Sequence, residues 1–451
     1  MRIIEKSNDS LQSKMKVFIR TYGCQMNERD SEIIAAQLMH DGHTIVNDES
    51  VADVVILNTC SVREQAEIKA IGKSGYLSRI KRRNPNFKIG IVGCMAENLG
   101  AQLFELNPAI DFVVGPQRIH EITGILHSRD KNLLIGEGNF AYTHHDFDHN
   151  LCRGKCTAFV SIMQGCCMRC SYCIVPKTRG AERYREINDI VDEVHFLAEN
   201  GIKEITLLGQ IVNNFGGRVM PIINKKRPFI QLLEKLNDID GIERIRYMSP
   251  HPSFFTDDLI DAHRSLKKLC RAVHLPIQSG SNRILREMRR PYTREKIVKI
   301  IEKLRAAVPD IGISTDIIVG YPTETEEDFL NTVSLVKDIK FNMAFVFKYS
   351  QRPGTKSAEL PDDVSEREKC RRNKILLNII EDVSLTYNKN FKGTVVEVLI
   401  EGHAKRGDDV MFGYTSNHYK VLFNANEEDI GRIVNVRIKD YTTTVLIGEI
   451  V

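Results

Sequence analysis

The segment IMQGCCMRCSYCIVPKTRG, residues 162 to 180, places four cysteines within eight positions. Three of them, Cys166, Cys170 and Cys173, have the spacing C-x3-C-x2-C, and Cys167 is read as incidental to it. Iron-sulfur clusters are usually held by four thiolates, whereas this loop supplies three at close, unequal intervals, which leaves one iron open to a small ligand. The competing reading, a structural zinc site, wants a fourth Cys or His at zinc spacing, and none stands nearby.

Three further cysteines are distant in sequence but equivalent in position: Cys24 in TYGCQMN, Cys60 in LNTCSVRE and Cys94 in VGCMAEN. Each ends an apolar run, KVFIRTYG, DVVILNTC or KIGIVGC, and each run is followed by an amphipathic or charged stretch. Alternating strands and helices from Lys16 to about Arg129 predict a parallel sheet covered by helices. Ligands bind beyond the carboxyl ends of such strands, so these three thiols are expected to converge. The alternative is that each is a small buried hydrophobe.

The elements that must position the 166–173 loop begin at Thr157. Candidate strands are TAFVSIMQ, EITLLGQ, RIRYMS, AVHLPIQ, GISTDIIVG and AFVFKYS, with helices such as INDIVDEVHFLAENG and TREKIVKIIEKLRAAV between them. Six βα units make an incomplete eight-unit barrel, whose chemistry sits at the carboxyl ends of the strands. The cysteine loop follows the first strand. The other strand ends, Gly209 and Gln210, then Gln278, Ser279 and Gly280, then Gly320 to Glu324, are expected to shape a pocket, ordinary strand-to-helix turns being the other reading.

Outside these regions, residues 138 to 156 show no apolar period and read as a linker. His144, His145, Asp146, Asp148 and His149 there are read as a solvated loop rather than a metal site, and Cys152 and Cys156 as free thiols. After the basic, helical stretch SEREKCRRNKILLNII, five short β runs from about Phe391 predict a small antiparallel barrel of a kind that often binds RNA. The expected division is residues 15–130, a linker at 131–156, a core at 157–386 and a terminal domain at 387–451.

Composition agrees with this organisation. The balance of 63 basic and 59 acidic residues gives a net charge of +4, so an RNA surface must be a local patch. Candidates are RIKRR at 79–83, KKR at 225–227, and Lys405 with Arg406. No apolar run approaches the roughly 20 residues that span a membrane, and the polar opening lacks the apolar core of a signal peptide. A cytoplasmic location is expected, where eleven cysteines point to metal or redox chemistry rather than disulfides.

The C-x3-C-x2-C loop resembles that of the radical S-adenosylmethionine (SAM) enzymes. The resemblance implies that Cys166, Cys170 and Cys173 hold a [4Fe-4S] cluster whose open iron is chelated by SAM, which an electron from the cluster cleaves to a 5'-deoxyadenosyl radical. It also places Tyr172 beside the SAM adenine. The stretches TYGCQMNERDSE, NTCSVRE, VGCMAEN, CIVPKTRG, LLGQIVNNFG, HLPIQSGSNRIL, DIIVGYPTETEEDF and SQRPGTKSA together resemble the methylthiotransferases. GCQMN and NTCSVRE are similar to the branch that acts on isopentenyladenosine in tRNA.

That resemblance implies a methylthio group placed on carbon 2 of N(6)-isopentenyladenosine at tRNA position 37. It implies a second [4Fe-4S] cluster on Cys24, Cys60 and Cys94 that carries the sulfur, a C-terminal TRAM domain that binds RNA, and SAM contacts from Gly209, Gln210, Gln278, Ser279 and Gly320. Expected partners are the tRNA, an electron donor such as flavodoxin or ferredoxin, and a sulfur donor, with no membrane and a monomeric chain. The family usually has Tyr where Lys177 stands and Arg where Tyr414 stands. Alternatives are a sister enzyme acting on threonylcarbamoyladenosine or a ribosomal protein, and an iron-sulfur carrier or scaffold without catalysis.

Overall fold

A computed structural model of the chain describes residues 14–62, 64–138, 152–405 and 410–451. These fall into two units: the residues up to 138 together with Lys177–Arg179, and the remainder. The five His and Asp residues of the linker and Arg406 lie outside the described residues.

The first unit is built on six parallel strands: β1 (Lys16–Tyr22), β2 (Thr44–Ile45), β3 (Val54–Thr59), β4 (Lys88–Gly93), β5 (Phe112–Val114) and β6 (Asn132–Leu134), in the order β2-β1-β3-β4-β5-β6. Every residue of β3 is buried, as expected of a central parallel strand covered on both faces. Its alternation separates two cores. Val54 and Ile56 pack with Ile33, Ile34 and Leu38 of helix Gln25–His40, while Val55 and Leu57 pack with Ala70 and Leu77 of helix Glu64–Arg83. Strands β2, β5 and β6 have two or three residues each, too few to show a period in the sequence. Of these, β6 lies within the stretch read as linker.

The second unit opens with β7 (Thr157–Ser161), β8 (Met163–Gln164), β9 (Arg183–Tyr184), β10 (Glu204–Leu208), β11 (Arg244–Tyr247), β12 (Ala272–His274), β13 (Gly312–Val319) and β14 (Met343–Lys348). The six expected strands are present, but as two three-stranded parallel sheets, β7-β10-β11 and β12-β13-β14. Between them the chain at 268–270 bonds to β11 in place of a ladder, through Ile245 N–H to Lys268 O at 2.7 Å and Cys270 N–H to Ile245 O at 2.9 Å. The run TAFVSIMQ divides after Ser161, and its last two residues pair antiparallel with β9. Helices such as Ile187–Glu199, Pro228–Asn237 and Arg294–Ala307 bury one apolar face each against the strands.

Helix Glu366–Lys389 leads into β15 (Val395–His403), β16 (Val410–Thr415), β17 (Lys420–Asn424), β18 (Ile433–Tyr441) and β19 (Leu446–Ile450), a closed barrel in the order β15-β16-β17-β19-β18. The helix runs past residue 387, so the expected boundary falls inside it. One pair, β17 with β19, is parallel rather than antiparallel. Geometry demands this: directions cannot alternate all the way round a closed ring of five strands. Val398, Ile400, Met411, Val421, Phe423, Val436, Ile438 and Leu446 fill the interior.

The barrel is tied to the rest of its unit by two buried arginines of β11. Arg244 donates to Tyr414 O at 2.6 Å, and Arg246 donates to Thr415 O at 2.7 Å and Ser416 O at 2.9 Å. Glu204 of β10 supplies the counter-charge to Arg246.

Candidate functional site

In the first unit Cys24, Cys60 and Cys94 follow three adjacent strands, β1, β3 and β4. The ladders bring the strand ends into step, pairing Tyr22 with Thr59 and Thr59 with Gly93. Cys24 is the N-cap of helix Gln25–His40, where the positive end of the helix dipole favours a thiolate. Proximity of the two thiols brings one down and the other up: Cys24 falls to about 6, led by the neighbouring Cys60, and Cys60 rises, led by Cys24 and then by burial. Burial raises Cys94, against the nearby charge of Arg179.

Two asparagines lock these ends together. Asn27 Nδ2 donates to Asn58 Oδ1 at 3.0 Å, and Asn58 Nδ2 returns a bond to Asn27 O at 2.8 Å. The Cys24 thiol donates to Asn27 Oδ1 at 3.3 Å. Gly93, at φ +91°, closes the third strand, and a Cβ there would stand 2.4 Å from Asn58 Oδ1 and 2.8 Å from Thr59 O. The segment Lys177–Arg179 also belongs to this unit. Arg179 forms a buried ion pair with Asp30 at 2.6 Å and donates through Nε to Cys94 Sγ at 3.3 Å, while Lys177 Nζ bonds Asn98 Oδ1 at 2.9 Å.

In the second unit the 166–173 loop follows β8 at the carboxyl end of the first barrel strand. Gly165, at φ +84°, lets Cys166 N–H reach Gly180 O at 3.0 Å; a Cβ on it would stand 2.0 Å from Ala181 O. Ser171 fastens the loop's middle to Tyr321 OH and Glu287 O, both at 2.8 Å. Cys166 is buried, Cys170 and Cys173 are half-buried, and Cys167 is exposed. All are free thiols. Burial pushes Cys166 up to about 12 and Cys173 up to about 11.

Arg290, 120 positions from Cys170, donates to its sulfur at 3.4 Å and is oriented by Tyr292 OH at 2.7 Å and Pro276 O at 3.4 Å. Its cation faces the thiols and Tyr172, whose hydroxyl is raised by burial. Sequence reading missed Arg290, since nothing near it in the chain marks it.

The expected pocket residues divide into two groups. Gln210 leaves Oε1 buried with no hydrogen-bond partner among the described residues. Gln278 is held at φ +70° by backbone bonds to Asp316 and Ile318. By contrast, the Ser279 hydroxyl is already engaged with Thr332 and Ser281. Gly209 and Gly320 have packing reasons: a Cβ would stand 2.5 Å from Met163 Cγ in the first case and 2.3 Å from Lys369 Cγ in the second. Tyr172 packs with Ile284, Met288, Tyr321 and Tyr349.

Two polar residues that the sequence did not single out stand at the same end of the strands. Gln164, fully buried, has neither amide atom bonded among the described residues. His251 accepts Ser253 N–H at Nδ1, and burial, then Arg290 and Lys296, bring it down to about 2, so its proton sits on Nε2, buried and unbonded. Buried polar atoms left without partners cost about 1–3 kcal/mol each, which favours a polar ligand here. Three thiols, a buried guanidinium and these orphaned groups fit an anionic cluster with a polar nucleotide-like ligand. Among the described residues no three His, Cys, Asp or Glu side chains are set to share a single metal ion. A cluster, which takes each thiolate on a different iron, requires a wider spacing than one ion does.

Three family models match the chain: Uncharacterized protein family UPF0004 over residues 16–115, the Radical SAM superfamily over 160–336 and the TRAM domain over 389–451. Among solved structures, the radical S-adenosylmethionine methyltransferase TsrM from Kitasatospora setae, described with cobalamin and a [4Fe-4S] cluster bound, matches with a TM-score of 0.56 and 15% identity, covering 77% of each chain. At that identity the likeness concerns the fold. A tRNA-2-methylthio-N(6)-dimethylallyladenosine synthase from Opitutus terrae is 47% identical, covering 96% of this chain and 97% of the relative. The enzyme of the same name from Methylacidiphilum infernorum is 46% identical, covering 94% and 92%. Near-complete coverage at such identity joins all three matched regions in one relationship: the chain belongs to the family of tRNA-2-methylthio-N(6)-dimethylallyladenosine synthases, with a radical SAM core and a TRAM domain.

Proposed function

We propose that this enzyme adds a methylthio group to carbon 2 of N(6)-isopentenyl (dimethylallyl) adenosine at position 37 of tRNA. The observation that carries the reading is the meeting of Cys24, Cys60 and Cys94 at three adjacent strand ends in a chain that also bears the Cys166, Cys170, Cys173 loop. Two [4Fe-4S] clusters and SAM, when bound, supply low-potential electron transfer, radical generation and the sulfur, which suits a carbon that is neither acidic nor a good electrophile.

The chain's own residues hold and orient these groups. Cys166, Cys170 and Cys173 would ligate one cluster as thiolates, with Arg290 balancing their charge. The raised affinity of Cys166 and Cys173 for protons means that loading the cluster displaces protons from the site. Gln164, Gln210 and His251 offer polar atoms to the bound nucleotide. Cys24, Cys60 and Cys94 would ligate the second cluster. The barrel of β15 to β19 would hold the RNA, and an unpaired loop base can be splayed out for reaction. Among the described residues no helix is long and apolar enough to cross a membrane. We assign the enzyme to the cytoplasm as a monomer, served by an electron donor such as flavodoxin or ferredoxin and by a sulfur donor.

The test is an anaerobic reaction of reconstituted protein with SAM, a strong reductant and isopentenylated tRNA, followed by nucleoside mass spectrometry. The expected product is isopentenyladenosine heavier by one methylthio group. Formation of 5'-deoxyadenosine without that product would keep the radical enzyme and overturn the substrate, directing attention to threonylcarbamoyladenosine or a ribosomal protein.

A further inference from the structure

The ion pair of Arg179 and Asp30 is out of character with its surroundings. Its side chains are 3% and 1% exposed, and the guanidinium takes both carboxylate oxygens, Nη2 to Oδ2 at 2.6 Å and Nη1 to Oδ1 at 3.4 Å. A buried pair of this kind contributes little net stability, because desolvation offsets the attraction and apolar residues of similar volume serve as well or better. What the pair does provide is direction. With both Nη atoms fixed on Asp30, the remaining Nε–H points at Cys94 Sγ, 3.3 Å away.

A second contact holds the segment, Lys177 Nζ to Asn98 Oδ1 at 2.9 Å in helix Cys94–Leu99, the helix that Cys94 opens. Asp30 lies six positions beyond Cys24 on helix Gln25–His40. Elements carrying two of the three cysteines therefore clamp one arginine, and that arginine addresses a cysteine sulfur.

We propose that Arg179 is a positioning residue for the cluster on Cys24, Cys60 and Cys94, orienting the Cys94 sulfur and raising the cluster's reduction potential, with Asp30 fixing the guanidinium and moderating its charge. The inference rests on the reading that these three cysteines ligate a cluster. Thiolate-held clusters are anionic, and N–H bonds to ligand sulfur together with nearby positive charge favour the reduced state. Lysine cannot replace this arrangement, since a single ammonium on a flexible stem cannot engage the carboxylate through a planar fork while presenting a fixed N–H to sulfur.

The experiment uses full-length protein in which Cys166, Cys170 and Cys173 are all replaced by Ala, so that the other site alone can load. Iron content is measured after anaerobic reconstitution, and the midpoint potential is read by electron paramagnetic resonance during a reductive titration. Arg179→Gln is expected to shift the potential below the parent and Asp30→Asn above it, with Arg179→Lys between Arg179→Gln and the parent. Opposite shifts are not expected of residues that only stabilise the fold. Unshifted potentials in Arg179→Gln and Asp30→Asn, at full iron content, would overturn the proposal. If Arg179→Gln fails to load, an unshifted Asp30→Asn does so. A parent that takes up no iron would instead overturn the ligand assignment itself, and the proposal with it.

Discussion

At the scale of single residues, the two sets of cysteines have separable expected roles. Replacing any of Cys166, Cys170 or Cys173 by Ala is expected to abolish SAM cleavage, measured as 5'-deoxyadenosine. Replacing Cys24, Cys60 or Cys94 is expected to spare that cleavage and stop methylthiolation. Cys167→Ala should change neither by more than about twofold, since its thiol is exposed and accepts one long bond, from the Glu182 amide at 3.5 Å, among the described residues. The cysteines were legible as candidates because thiol type and spacing are visible in the chain itself. Their partners were not. Arg290 reaches Cys170 across 120 positions, and Asn58 reaches Asn27 across 31, distances over which local pattern gives no sign of contact. Gln164 and His251 escaped for another reason: a buried amide or imidazole looks ordinary in sequence, and only the absence of a partner among the described residues sets it apart.

At the scale of elements, the site in the first unit depends on strand ends that interlock tightly. Gly93→Ala would force a Cβ within 2.4 Å of Asn58 Oδ1 at a backbone angle of φ +91°. We expect a loss of about 2–4 kcal/mol by chemical denaturation, combining overpacking and backbone strain. Asn58→Ala should cost about 1–3 kcal/mol, because it removes both bonds that the buried Asn58 amide exchanges with Asn27 and leaves Asn27 Nδ2 the longer bond to Thr59 O at 3.4 Å. The long strands and helices were readable from apolar period, whereas β2, β5 and β6 were too short to register. The division of TAFVSIMQ into β7 and β8 also escaped, since an unbroken apolar run conceals a change of pairing partner. The parallel pairing of β17 with β19 follows from closing five strands, a property of the ring that no strand shows alone.

At the scale of the whole molecule, titration links the second unit's core to its barrel. Burial, then repulsion by Glu204, raises the Glu401 carboxyl from 4.5 to about 7. Between those values the folded chain keeps a proton that the unfolded chain releases, so stability falls as pH rises through this window and the loss is complete above it. Glu401→Gln should therefore raise the melting temperature more at pH 8 than at pH 5, with a gain on the order of 1–3 kcal/mol at the higher pH. Arg246→Met should do the reverse, costing about 3–5 kcal/mol in a denaturant titration by leaving the buried Glu204 carboxylate without its cation. The latch through which Arg244 and Arg246 hold the barrel recognises the carbonyls of Tyr414, Thr415 and Ser416, groups that every amino acid possesses. A tyrosine can thus stand at 414, where the family resemblance leads one to expect arginine, without loosening the joint. An inserted or deleted residue in that turn would displace all three carbonyls at once. In this corner of the protein, inheritance is free to vary the letters but not the count.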